Sequence, residues 1–330
     1  MKTVRVVLLL AILFGVSLPF SAQNEKASGL KAYSKGPKTP ATPKAPAFGD
    51  VLLGGHGSVA EATRFLCEHS GGGDIVVLSA SGRGDYNGEF HNACPENSVI
   101  TFVIASEKGA RVPAVAIKLK GAHAIFFSGG DQSNYVRYWS GTPVQEEINN
   151  AITRGVPIGG ISAGLAIQGE FLFASFVDTV TSPQALANPY DPHVTLEREF
   201  LRIPYLKGVI TDSHFSARER MGRSIVFMSR IVQDGWAEVA HGIGVDETTA
   251  VLVDANGRAT VVGKNAAYFM TLNHKPERCV AGKPLTVSGV EVYKLRAGAQ
   301  SKFDLASWSG NGGTTFQANV SDGKLTKTDQ

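Results

Sequence analysis

The sequence predicts an α/β protein, a three-layer, mostly parallel sheet covered by helices, with antiparallel strands added near the C-terminus. Three observations carry this reading. Short, continuously apolar runs such as Val51-Leu52-Leu53, Ile75-Val76-Val77-Leu78 and Ala124-Ile125-Phe126-Phe127 alternate with helix-like stretches, the pattern of strands buried on both faces. Glycine-rich turns follow strands at Gly54-Gly55-His56-Gly57, Gly129-Gly130 and Gly159-Gly160, so they gather on the rim where open α/β sheets bind ligands. Downstream, Asp254-Ala255-Asn256-Gly257 separates Val251-Leu252-Val253 from Ala259-Thr260-Val261-Val262, and Asn-Gly between two such runs signals a hairpin.

In chain order, residues 1–22 place Lys2 and Arg5 before an apolar run over 6–20 and a small-residue end. This is the layout of a secretory signal, cleaved after Ala22 or kept as an anchor, so export to a periplasmic or extracellular compartment is expected. Residues 23–47 are rich in Lys, Pro, Ala and Ser, with prolines at 37, 40, 43 and 46, and read as an extended linker that does not pack. Residues 48–300 form the folded domain. Strands are expected at 51–53, 75–78, 99–104, 124–127 and 157–158, and helices at 59–67, 144–154 and from 164. The hairpin around Asn256-Gly257 and a strand at 290–295 are expected to extend the main sheet. Residues 301–330 are polar and glycine-rich and read as a partly disordered tail.

Composition bounds the function. The 330 residues are 43% hydrophobic with a formal charge of +3, enough apolar material for a substantial core. Much of that charge belongs to the signal and linker, where Lys2, Arg5, Lys26, Lys31, Lys35, Lys38 and Lys44 face Glu25 alone. The body is near neutral without a basic stripe interleaved with aromatics, so a nucleic-acid partner is not indicated. Cys67, Cys94 and Cys279 show no metal-ligand spacing. A bridge between the first two is permitted in an oxidising compartment, with small buried thiols the alternative.

Chemistry concentrates at Val156-Pro157-Ile158-Gly159-Gly160-Ile161-Ser162-Ala163-Gly164-Leu165, where an apolar strand gives way to a helix around a Gly-x-Ser-x-Gly pattern. A serine on so tight a turn sits on strained backbone with its hydroxyl exposed at the rim, and flanking glycines avoid a Cβ clash. The Ala163 amide points at the same place and is a natural oxyanion donor. A serine nucleophile needs a base. Of eight histidines, His214 follows the short strand Val209-Ile210 in Gly208-Val209-Ile210-Thr211-Asp212-Ser213-His214-Phe215 and so reaches the rim; His56, in the first glycine turn, is its rival. Arg218, Arg220 and Arg223 follow within one stretch, either a solvated face with Glu219 as partner or a set of guanidiniums that holds carboxylates and fixes the histidine loop.

Four motifs in order resemble those of cyanophycinase and its relatives, the serine-peptidase family that includes peptidase E. They are Phe127-Ser128-Gly129-Gly130-Asp131-Gln132, Gly160-Ile161-Ser162-Ala163-Gly164, Asp212-Ser213-His214-Phe215 with Arg218, Arg220 and Arg223, and Gly244-Val245-Asp246-Glu247-Thr248-Thr249-Ala250. The resemblance spans residues 48–295. It implies a class I glutamine amidotransferase-like fold, Ser162 as nucleophile, His214 as base, and Gly130 with Ala163 as oxyanion donors. It further implies that Gln132, Asp212, Arg218, Arg220 and Arg223 shape the substrate pocket. The substrate it implies is a peptide or isopeptide bond next to aspartate, cut without a cofactor or metal, and it suggests a homodimer. The family's triad acid follows the serine by one short segment, which favours Asp178 over Glu170 and Asp191, with the Ser182 hydroxyl as a substitute. Ser213 stands where cyanophycinases carry glutamine, which enlarges or rewires the pocket and places cyanophycin itself in question. The rivals are an α/β-hydrolase esterase and a secreted binding protein that has lost catalysis.

Overall fold

The computed structural model describes residues 28–37, 42–82, 86–298 and 302–329. The expected signal at 1–22 lies outside the described residues. Strand β1 (Leu30–Lys35) precedes β2 (Asp50–Leu53), α1 (Ala60–His69), β3 (Ile75–Ser79), α2 (Tyr86–Ala93) and β4 (Val99–Ile104). Two helices, α3 (Glu107–Ala110) and α4 (Pro113–Lys120), lead to β5 (Ala124–Phe127), α5 (Gln132–Trp139), α6 (Pro143–Thr153), β6 (Ile158–Ile161) and α7 (Ala163–Ala166). Next come β7 (Phe171–Phe173), α8 (Ser182–Ala187), β8 (Leu196–Arg198), β9 (Val209–Asp212), α9 (Met221–Gln233) and β10 (Ala240–Val245). The chain ends in strands: β11 (Thr249–Val253), β12 (Arg258–Gly263), β13 (Ala266–Leu272), β14 (Val287–Arg296), β15 (Lys302–Asp304), β16 (Ser309–Asn311), β17 (Thr314–Ser321) and β18 (Lys324–Asp329).

The parallel heart of the main sheet runs β4-β3-β5-β6-β2. These strands are buried on both faces, as Val51, Leu52, Val76, Val77, Ile125 and Ile158 show at 0% exposure. On one face Val51, Ile75 and Val77 pack with Leu66 of α1 and Phe90 of α2. On the other, Leu52, Val76 and Ile158 pack with Val144, Ile148 and Ile152 of α6. The i, i+4, i+8 spacing of those three α6 residues is what lays one helical face on the sheet. Each side chain so buried contributes about 1.5–3 kcal/mol. The expected three-layer α/β arrangement is therefore present around these strands.

A second sheet, β18-β17-β14-β13-β10-β9-β7-β8, packs beside the first. Its inner residues Ile243, Val245, Phe269 and Leu295 join the main core, while Ile210, Val292 and Phe316 pack on Ile225, Met228 and Val232 of α9. The Asn256-Gly257 hairpin does extend the main sheet, β11 pairing with β2 and β12 with β11. The strand at 290–295 does not. It lies within β14 of the second sheet, between β13 and β17.

Two further expectations are corrected. Part of the 23–47 linker packs, for residues 30–35 form β1, antiparallel to β4. Leu30 is buried and the rest is exposed, an edge strand held through its backbone. The 301–330 tail is ordered over its described residues: Phe316, Ala318 and Val320 alternate inward along β17, and β18 pairs back onto it across Asp322-Gly323. A period-two apolar pattern outweighs polar composition because it gives one sheet face a core to cover. Cys67 and Cys94 form a disulfide between α1 and the residue after α2, while Cys279 is free and buried. Closing that 27-residue separation restrains the unfolded chain by about 3.5 kcal/mol.

Candidate active site

Strand β6 ends in the middle of the parallel strands, and Ser162 is the next residue. Its backbone adopts φ 56, ψ −111, a conformation costly for a side-chain-bearing residue and typical of a nucleophile elbow. The glycines around it are required by contact: a Cβ on Gly160 would lie 2.3 Å from the Gly164 carbonyl oxygen, and one on Gly164 2.2 Å from that of Phe127. Ser162 is held by its amide donating to Leu53 O at 3.0 Å, which projects the hydroxyl above the sheet.

His214 arrives from the second sheet. Strand β9 ends at Asp212, and two residues later the His214 amide donates to Gly54 O at 2.8 Å, fastening the loop to the first glycine turn. The imidazole Nε2 stands 2.7 Å from Ser162 Oγ. The ring packs against Gly55, where a Cβ would come within 2.4 Å of His214 Cε1. Rim residues His56, Ser162, Ser175, His214, Glu219 and Thr248 all have positive φ. Backbone strain is thus concentrated where the loops converge.

The acid is Glu247. Its Oε1 lies 2.7 Å from His214 Nδ1, and this contact fixes the tautomer that leaves Nε2 free to accept the serine proton. Asp178, expected in this role, is exposed and its Oδ1 accepts from the Thr179 amide at 2.6 Å; it lines the adjoining cavity. Glu170 accepts from the Gly208 amide at 2.5 Å, below the amino end of β9 and away from the rim. Asp191 pairs with His193 at 2.8 Å. The Ser182 hydroxyl donates to Glu219 O at 2.5 Å. The signal for Glu247 is its strand: β10 runs parallel to β9 with Gly244 opposite Asp212. His214 and Glu247 each sit two residues past the end of one of two neighbouring strands. The chain order serine, histidine, acid also differs from the serine, acid, histidine order of α/β-hydrolases.

Electrostatics suit a base. Burial pushes the His214 pKa below the ordinary imidazole value; the hydrogen bond and charge of Glu247 act upward, and Arg218 and Arg220 act downward. Burial thus favours the neutral imidazole, the form that accepts a proton. Glu247 is held below the usual carboxylate range first by the His214 hydrogen bond. Ala163 follows Ser162 directly, and Gly129, which precedes Gly130, lies in van der Waals range of the serine, where an added Cβ would be 3.6 Å from that of Ser162. The Gly130 and Ala163 amides donate to no protein group among the described residues, leaving both free for an oxyanion.

Beyond Gly129, which lies near Ser162, a cavity of about 450 Å³ is lined by Gly130, Gln132, Asp178, Arg218, Arg220 and Arg223, among others. Gln132 donates to Phe173 O at 3.4 Å. The Arg218 guanidinium has no carboxylate partner among the described residues, and Arg220 uses only Nη1, on Asp212 and Ser213. Arg223 lines this cavity and also holds a carboxylate next to the histidine loop, as the second reading of the arginines expected, whereas Asp212 is not among the lining residues. Arg223 Nε and Nη2 grip both oxygens of Asp212 at 2.8 and 2.6 Å, and its Nη1 donates to Thr179 Oγ1 and Val180 O. Asp212 also accepts from Arg220 and from Ser224 Oγ. The pair is a buried clamp joining the 174–181 loop to the strand that carries His214. Ser213 is buried beneath Arg220 and is not among the cavity residues.

Burial alone would raise the Asp212 pKa, yet Arg223 and Arg220 together hold it below the ordinary value. Alanine at 212 strands two guanidiniums, so we expect a loss of about 3–5 kcal/mol in urea unfolding. An unchanged midpoint would contradict the clamp.

Comparison with known proteins gives the family. The family model for peptidase family S51 matches residues 86–260, more than half of the chain. The cyanophycinase of Trichormus variabilis is 31% identical over 193 residues, covering 56% of this chain and 58% of the relative. That of Synechococcus elongatus is 28% identical over 213 residues, covering 61% and 60%. The chain thus spans less than two thirds of the length of these curated relatives. A solved peptidase from an acI-B1 actinobacterium superposes with a TM-score of 0.50 at 16% identity, over 72% of this chain and 98% of that one, which shows a shared fold. With Ser162 on its elbow inside the matched span, the chain belongs to peptidase family S51.

Proposed function

We propose that the protein is a serine peptidase that hydrolyses peptide or isopeptide bonds at aspartyl residues through an acyl-enzyme. The observation that carries this reading is the Ser162, His214, Glu247 relay, with both contacts at 2.7 Å, near a cavity whose lining includes Gly130 and Arg218, the latter without a carboxylate partner among the described residues, beside Arg220, which is held by Asp212. His214 Nε2 takes the hydroxyl proton as Ser162 Oγ attacks the carbonyl carbon. The Gly130 and Ala163 amides hold the oxyanion, and His214 returns the proton to the leaving amine. Water, deprotonated by the same imidazole, then attacks the ester carbonyl and releases Ser162. The acyl-side carboxylate of an aspartyl unit matches the cationic cavity wall. Curated relatives carrying the name cyanophycinase support an aspartyl substrate. The test is a dipeptide panel: β-aspartyl and α-aspartyl dipeptides should be cut well above alanyl or lysyl ones. Equal rates across the panel would contradict the assignment.

Export belongs to the same proposal. It rests on the signal-like residues 1–22 and is supported by the Cys67–Cys94 disulfide, since such bonds persist in oxidising compartments. Amino-terminal sequencing of protein recovered from expressing cells should find a start near Gln23; an intact Met1 would count against it.

A further inference from the structure

We propose that a second cleft beside the substrate cavity binds an acidic residue flanking the bond to be cut, so that extended acidic peptides are preferred over short ones. This inference rests on the peptidase reading above. The cleft has a volume of about 510 Å³ and lies between the loop after His214 and the C-terminal hairpin. Phe215, Ser216 and Met221 form one wall, Leu325 and Lys327 the other, and Arg220 borders both this cleft and the substrate cavity.

The partition between the two spaces is thin. Thr181 lines the substrate cavity and Pro183 the cleft, and between them the Ser182 hydroxyl is bonded to the Glu219 carbonyl. An extended peptide advances about 3.3 Å per residue, and a chain lying in the substrate cavity has only this ridge to cross to enter the cleft.

Charge identifies the occupant. In the lining Lys327 stands with the single carboxylate of Glu219, and Arg220, whose Nη1 is held by Asp212, presents the rest of its guanidinium. The Lys327 ammonium has no carboxylate partner among the described residues and stands 5.8 Å over the Phe316 ring. Just outside the lining, Lys294 adds a further cation, 5.3 Å over the ring of the lining residue Tyr268, whose hydroxyl lies 3.0 Å from Ser216 Oγ. An apolar floor with a positive edge receives a peptide backbone whose side chain ends in a carboxylate. Tyr268, Leu325 and Lys327 lie beyond the residues 86–260 matched by the family model, so the cleft is built in part from the strands that follow that span.

Two measurements test this. Binding of fluorescein-labelled hexa-aspartate and hexalysine peptides to the S162A protein is followed by anisotropy. Hydrolysis by the otherwise unsubstituted chain is followed on an aspartyl dipeptide and on the same dipeptide extended by four aspartates. Lys327→Glu should weaken hexa-aspartate binding and lower kcat/KM for the extended substrate by about fivefold each, with the dipeptide within about twofold. Hexa-aspartate binding unchanged by K327E, hexalysine bound as tightly as hexa-aspartate, or an equal loss on the dipeptide would overturn the proposal. If the unsubstituted chain cuts neither substrate, the peptidase reading fails, while the anisotropy still decides for or against the cleft.

Discussion

Ser162→Ala is expected to lower kcat/KM on aspartyl dipeptides roughly a million-fold, to the residual rate that an oxyanion hole and binding alone sustain. The size of the loss follows from the chemistry: the acyl-enzyme cannot form, and His214 has no hydroxyl to deprotonate. Folding should survive, because Oγ makes its hydrogen bond to His214 and to no other group among the described residues, and the elbow is held by backbone bonds. An unchanged unfolding midpoint beside lost turnover is the expected pair of results. Retention of even a hundredth of the activity would place the nucleophile elsewhere.

Glu247→Gln carries the second-largest effect, a fall in kcat of about 10³ to 10⁴ with KM little changed. The amide keeps the shape but no longer stabilises the imidazolium or enforces the tautomer with Nδ1 protonated. A pH profile separates this from a merely structural loss. Activity requires neutral His214, so kcat/KM rises as pH climbs through its pKa, which burial already sets below the ordinary imidazole value. Glu247 is the group that raises that pKa. Removing its charge should therefore shift the acid limb to still lower pH while the plateau drops. Asp178→Asn, by contrast, should leave the limb in place. If Asp178→Asn moved the limb and Glu247→Gln did not, the relay would be wrong.

The difference between those two acids shows where sequence reasoning stops. Ser162, the glycine turns and His214 were legible because each follows a short apolar run, and strand ends in a parallel sheet share a rim. Glu247 obeys the same rule, two residues past β10, but its partnership with His214 depends on β10 lying beside β9. Lateral order among strands is set by packing over long sequence distances, and no local pattern records it. The second sheet escaped for the same reason, since a strand at 290–295 reads alike whether it joins one sheet or another. The ordered tail is a different case. The alternation Phe316, Ala318, Val320 is visible in the chain, but the polar, glycine-rich residues around it mask the pattern. Asp212 and Arg223 fell near the pocket as the motifs implied, yet their side chains saturate each other and turn inward, which depends on side-chain directions that residue identity alone does not fix.

That reading makes the site a joint product of two sheets. The main sheet supplies the strained elbow and oxyanion donors, and the second supplies base and acid from two adjacent parallel strands. Gly54 and Gly55 stitch them together, the first accepting the His214 amide and the second accepting the Thr248 amide at 2.8 Å.

The most direct test is intact-mass and peptide mass spectrometry after treatment with a fluorophosphonate. The account predicts one adduct, on Ser162, formed rapidly by the unsubstituted protein, slowly by the Glu247→Gln variant and not at all by Ser162→Ala. An adduct on another serine, or labelling of Ser162 at the same rate with and without Glu247, would contradict it.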